Sequence, residues 1–125
     1  MQAICKRVLG WMALILVVVV IAACIRNLIN HVAYKRDHVT AGENAKPIKE
    51  LIEKDPRFSQ VKVHVSTATY SSAAVHVNGL VEHDSDVEVI RAVAEKGRYP
   101  KKQVELLFTV WADAETYRFI VAQQK

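Results

Sequence analysis

The sequence predicts an α+β protein: an N-terminal transmembrane helix, then a small αββαββ domain with two helices on one face of a mixed sheet. Three observations predict it. Residues 8–25 (VLGWMALILVVVVIAACI) form an apolar run without a charge. Residues 61–66 and 73–81 alternate apolar and polar side chains at period two, the mark of half-buried strands. Segments around Ile48 and Ile90 place apolar residues at helical spacing. The expected organisation is a membrane anchor helix over 1–34, a linker over 35–43 and the α+β domain over 44–125.

The apolar run is about 27 Å long as a helix at ~1.5 Å per residue. That nearly spans the ~30 Å hydrocarbon core of a bilayer. Val8, Trp11, Leu14, Val18, Ile21 and Ile25 are the expected membrane-spanning residues. Ile25, Leu28, Ile29 and Val32 continue the helical spacing to about Tyr34. Lys6 and Arg7 precede the run, and Arg26, Lys35 and Arg36 follow it, so the basic residues do not decide orientation. The short N-terminal tail favours a cytoplasmic N-terminus and an exported domain. Two other readings stand beside this signal anchor. Ile21-Ala22-Ala23-Cys24 resembles a bacterial lipobox, which would make residues 1–23 a lipoprotein signal and Cys24 the acylated residue. A cleaved secretory signal is the third reading.

The domain's elements follow in order. Asn44 is placed to cap a helix over about 45–54, with Pro47 in its first turn and Ile48, Leu51 and Ile52 along one stripe. Asp55-Pro56 ends that helix, because the residue before proline leaves the helical region. Val61, Val63 and Val65 alternate with Lys62, His64 and Ser66. After a hairpin connection over 68–72, Ala73, Val75, Val77 and Val81 alternate with Ala74, His76, Asn78 and Leu80. Gly79 marks a bulge or a close packing approach. Ser85-Asp86-Val87-Glu88 has capping-box spacing and predicts a helix over about 86–96 that turns Val87, Ile90, Val93 and Ala94 inward. Gly97 stops it. After a loop broken by Pro100, residues 103–111 read as a third strand. Residues 112–115 read as a turn and 116–122 (TYRFIVA) as a fourth strand, completing a C-terminal hairpin.

Residues 75–97, VHVNGLVEHDSDVEVIRAVAEKG, resemble the heart of a BON domain. The matching positions are Val75, Val77, Gly79, Val81, Ile90, Ala94 and Gly97, and the preceding helix and strand extend the likeness over about 45–111. The resemblance implies a BON-like fold, export or membrane attachment in bacteria, and binding to phospholipid or membrane-associated partners. Two departures stand out. Gly97-Arg98-Tyr99-Pro100 replaces the family's glycine–valine junction, and the fourth strand is additional.

The chemistry-bearing residues are sparse. The net charge of +4 is modest, and the basic residues are scattered apart from Lys101 and Lys102, which is no nucleic-acid footprint. The strand order is similar to KH-type RNA binders, but the chain has no Gly-x-x-Gly loop. Cys5 and Cys24 would lie about 28 Å apart on one helix, far beyond disulfide reach. A hairpin symmetric about Tyr70 puts His64 opposite His76, a pair able to share a metal only with further ligands. Glu82, Asp84, Asp86 and Glu88 crowd a helix start, where carboxylates are stabilised. Ser66, Ser71 and Ser72 lack a nucleophile elbow.

The expected function is a non-enzymatic, membrane-tethered envelope interaction module, without cofactor, binding an envelope protein or phospholipid or forming a homo-oligomer. Its place would be the inner (cytoplasmic) membrane, single-pass, with the domain facing the periplasm or cell exterior. The alternatives are a lipoprotein acylated at Cys24 displaying the same domain, and a small metal-dependent envelope enzyme using His64 and His76. In the C-terminal hairpin, Val104, Leu106, Phe108 and Ile120 would face the helices. Leu107, Trp111, Tyr117, Phe119 and Val121 would form the partner surface.

Overall fold

The computed structural model describes residues 1–67, 73–99 and 104–125. The hairpin connection expected over 68–72, with Tyr70, Ser71 and Ser72, lies outside them, as do Pro100, the pair Lys101 and Lys102, and Gln103. The chain divides into two compact units, Met1–Ala33 and Tyr34–Lys125.

Helix α1 covers Gln2–Lys54. Within the first unit it contains a stretch long and apolar enough to cross a membrane, none of it buried. Val8, Trp11, Leu14, Val18, Ile21 and Ile25 are all exposed. Cys5 and Cys24 are free thiols on the same helix.

The second unit is a three-stranded mixed sheet with helices. Its elements are the C-terminal part of α1, a 3₁₀ turn (Pro56–Phe58), β1 (Val61–Thr67), β2 (Ala73–Val81), α2 (Asp84–Glu95), β3 (Val104–Ala112) and α3 (Ala114–Gln123). The strand order is β1-β2-β3, so β2 is central. β1 pairs with β2 antiparallel and β3 pairs with β2 parallel. A parallel pair needs a crossover, and α2 supplies it. The register joins His64 to His76 and Val63 to Val77, the pairing expected for a hairpin centred on position 70. Alternation then sends Val61, Val75, Val77, Val81, Val104 and Val110 to one face. There they pack with Ala41, Ala45 and Ile48 of α1, Phe58 of the 3₁₀ turn, and Val87, Ile90 and Ala94 of α2. Each fully buried large side chain of this set contributes about 1.5–3 kcal/mol.

Three expectations are corrected. The linker over 35–43 and the separate helix capped by Asn44 are replaced by continuous helix. Asp37, Ala41, Ala45 and Ile48 form its buried stripe, and their spacings of four, four and three keep them on one face. Pro47 sits inside the helix but on its exposed side. The carbonyl that loses its partner, that of exposed Glu43, therefore faces water rather than core. Asn44 is no cap: its Nδ2 donates to Arg98 O at 2.5 Å, and its Oδ1 accepts from Arg98 N at 3.0 Å. This two-bond clasp ties α1 to the segment after α2.

Second, the capping box does not form. α2 begins at Asp84 with His83 at the cap position and no side-chain cap bond. Asp86 N–H donates to His83 O at 3.0 Å. Ser85 is left exposed in the first turn. Asp86 is instead a buried anchor, its carboxylate 3.0 Å from Arg57 Nη1.

Third, the fourth strand is a helix, so the domain is αββαβα rather than αββαββ. Asp113 is its N-cap: Thr116 N–H donates to Asp113 Oδ1 at 3.1 Å, and Thr116 Oγ1 donates to Oδ2 at 2.8 Å. Capping satisfies helical N–H groups that would otherwise go unpaired. Tyr117 is buried, Ala114 and Val121 are half-buried, and together they make one helical face. β-Propensity in TYRFIVA yields to that packing. The stop at Asp55 holds: its backbone is extended (φ −116, ψ 114), and its carboxylate accepts from Arg57 N–H.

Candidate interaction surface

The sheet's second face is built by the alternate residues of the same three strands. β1 contributes Lys62, His64 and Ser66; β2 contributes Ala74, His76, Asn78 and Leu80; β3 contributes Glu105, Leu107, Thr109 and Trp111. A face open to water is normally polar. The β1 side obeys this, and the β3 side does not.

On the β1 side, the imidazoles of His64 and His76 stack with centroids 4.5 Å apart and planes 4° from parallel. The Ser66 hydroxyl lies 2.6 Å from His76 Nε2, a hydrogen bond whose donor depends on the imidazole tautomer. The sequence-predicted pair is thus brought together. No cluster of three or more metal-ligating side chains exists among the described residues. A zinc site takes three protein ligands or more.

On the β3 side, Leu107 is 43% exposed and Trp111 58% exposed. Both project from the outer face of an edge strand. Phe119 on α3 is 63% exposed. Of the five residues expected to form a partner surface, these three are open, and Val121 is half-buried. Tyr117 is corrected: it is 8% exposed and points into the domain. Its hydroxyl donates toward Pro56 O at 3.4 Å and Arg57 O at 3.2 Å. The correction follows from the helix, which rotates residues 117 and 119 to different sides instead of the same one.

α3 packs against β2, and Leu80, an outer-face residue, is only 6% exposed. Three further bonds hold α3. Asp113 N–H donates to Val81 O at 3.1 Å, Arg118 Nε donates to Glu82 Oε1 at 2.6 Å, and Gln60 Nε2 donates to Gln124 Oε1 at 2.9 Å. Three of the four acids at the start of α2 therefore have basic partners: Glu82 with Arg118, Asp86 with Arg57 and Glu88 with Arg91.

The electrostatics around this surface are local. Hydrogen bonds from the Arg57 side chain, then its backbone N–H, hold the Asp55 carboxyl below its ordinary value. Bonds from the Thr116 backbone N–H, then its hydroxyl, do the same for Asp113. Burial raises the Tyr99 phenol above its ordinary value. Its hydroxyl has no hydrogen-bond partner among the described residues.

What sequence reasoning missed is structural: the buried side of residues 37–45, and α3 itself. The Asp113-to-Thr116 spacing is the signal that finds α3. No protein-family model, curated protein or solved structure matches the chain.

Proposed function

We propose that the chain is a non-enzymatic interaction module tethered to a bacterial cytoplasmic membrane, with its α+β unit on the outer side. The observation that carries the reading is the exposure of Leu107 and Trp111 on an outer sheet face, with Phe119 exposed on α3. Exposed aromatic and aliphatic groups are the anchors that partners bury, and Trp and Tyr dominate such contacts. The tether is the apolar stretch of α1, which leaves every side chain from Val8 to Val20 open to its surroundings. The likeness of residues 75–97 to BON domains supports an envelope protein or phospholipid as partner.

Two measurements on the full chain test this reading. The first is the intact mass of the protein extracted from membranes, with a reporter after Lys125 to give its side. An unprocessed chain with an external reporter is expected. A chain beginning at an acylated Cys24, and lost in Cys24→Ser, would make it a lipoprotein instead. The second is cross-linking in intact membranes of the parent chain and of a Trp111→Ser, Phe119→Ser variant. Adducts present in the parent and lost in the folded variant are expected. Identical adducts in both would remove this surface from the proposal.

A further inference from the structure

β3 is an edge strand nine residues long, and its far side meets no other strand among the described residues. Two hydrogen bonds establish which of its main-chain groups are free. Leu80 N–H donates to Gln60 O at 3.4 Å on the β1 side, and Asp113 N–H donates to Val81 O at 3.1 Å on the β3 side. Main-chain groups alternate sides along a strand. Odd-numbered residues of β3 therefore bond to β2. The N–H and C=O groups of Leu106, Phe108 and Val110 point to the open edge.

The usual protections of such an edge are lysine, proline, a bulge, short length or a covering segment. β3 has no lysine or proline, and Glu105 is its one charged residue. Its ladder to β2 runs without a bulge from Ala73↔Val104 to Val81↔Ala112. The opposite edge differs: β1 is seven residues long and carries exposed Lys62.

We infer that β3 pairs antiparallel with β3 of a second copy of this chain, joining two three-stranded sheets into one. The inference rests on the interaction-module reading and names its partner. An antiparallel pair of identical strands is self-complementary about a two-fold axis. The register that overlaps all of Val104–Ala112 is centred on Phe108. It sets even-numbered residues opposite even-numbered ones, as the free groups require. Leu106 then faces Val110 of the other copy. On the outer face Leu107 lies opposite Thr109, and Glu105 lies opposite Trp111. The two Glu105 carboxylates are kept at opposite ends of the pair, so no like charges meet. Leu107 and Trp111 of both copies become one continuous apolar strip across the seam.

The test is residue-resolved amide exchange on the full chain in detergent micelles, with mass measured in parallel. In the parent at high concentration, the amides of Leu106, Phe108 and Val110 are expected to exchange as slowly as those of Leu107, Thr109 and Trp111. Dilution should accelerate the even-numbered set at least tenfold and leave the odd-numbered set slow. A Leu107→Lys, Thr109→Lys chain should give the same pattern as a monomer. Mixing it with a Leu107→Glu, Thr109→Glu chain should restore slow even-numbered amides, because opposite charges then face each other. Fast even-numbered amides at every concentration overturn the pairing, as does protection that neither dilution nor charge changes. Should the lysine variant lose its odd-numbered protection, it has unfolded, and the dilution series on the parent decides alone. The membrane and cross-linking tests above read the interaction-module proposal without reference to these amides, so the two can fail separately.

Discussion

Gly79 is the residue at which the sheet depends most on a missing side chain. Its φ is +152, a conformation L-residues rarely adopt, and a Cβ there would overlap Gln60 O and come within 2.6 Å of Val61 Cα. Both obstacles are backbone, so neither can swing aside. Gly79→Ala is expected to cost on the order of 1–3 kcal/mol. In a domain of this size each kcal/mol lowers the melting temperature by about 4–8 °C. A thermal melt with an unchanged midpoint would refute the close approach. Asp113 makes a different kind of demand. Its carboxyl is held below the ordinary value in the folded state, chiefly by the Thr116 N–H. A depressed folded pKa contributes stability that is complete above the unfolded value, about 3.9. That contribution is lost as pH falls through the folded value. Asn caps helices about as well as Asp. Asp113→Asn should therefore melt like the parent at neutral pH but lose less stability on acidification below about pH 4. Some acid sensitivity should remain, since Asp55 is depressed in the same direction by Arg57. Parallel melting-temperature profiles for the two proteins would show that the cap carries no such linkage.

The elements differ in how plainly the sequence announces them. β1, β2 and their register were legible because alternation at period two leaves one face to bury, and a one-residue slip would reverse it. The crossover helix was legible from Val87, Ile90 and Ala94, although its cap was not. Asp86 is drawn inward by Arg57, a partner 29 residues away that no local rule includes. Residues 35–43 read as a linker because their buried side is made of Asp37 and Ala41, which carry little hydrophobic signal. Small residues bury little area but let a helix lie close. Ala41 is wholly inaccessible, so Ala41→Leu should overpack the core and cost about 1–3 kcal/mol. The neighbouring exposed Val39→Leu should be neutral in the same chemical denaturation. Equal stability of the two variants would restore the linker. α3 was hidden for the opposite reason: its Tyr, Phe, Ile and Val favour strands, and only the Asp113 cap and the turn-spaced burial of Tyr117 overrule them. Of the candidate surface, the part carried by β3 was legible. Within 117–121 Phe119 is open as expected but Tyr117 is buried, because a helix sends the two to different sides where a strand would send them to the same one.

At the scale of the whole molecule, one connection orders events in time as well as in space. Tyr117 reaches the backbone of Pro56 and Arg57, and Gln124 meets Gln60. Residues made after β3 thus close on the stretch made just before β1. The central strand β2 also waits for a parallel neighbour that follows a whole helix later, the long-range kind of pairing that slows folding. A ribosome making this chain therefore cannot release a finished domain in stages. The valines of β1 and β2 remain open to chaperones and proteases until β3 has emerged, and Leu80 until α3 has. Stalled nascent chains ending at Trp111 should be cut by a protease between Val61 and Val81. Chains stalled on an added spacer beyond Lys125 should resist. Resistance already present at Trp111 would mean that β1 and β2 are covered before β3 has emerged.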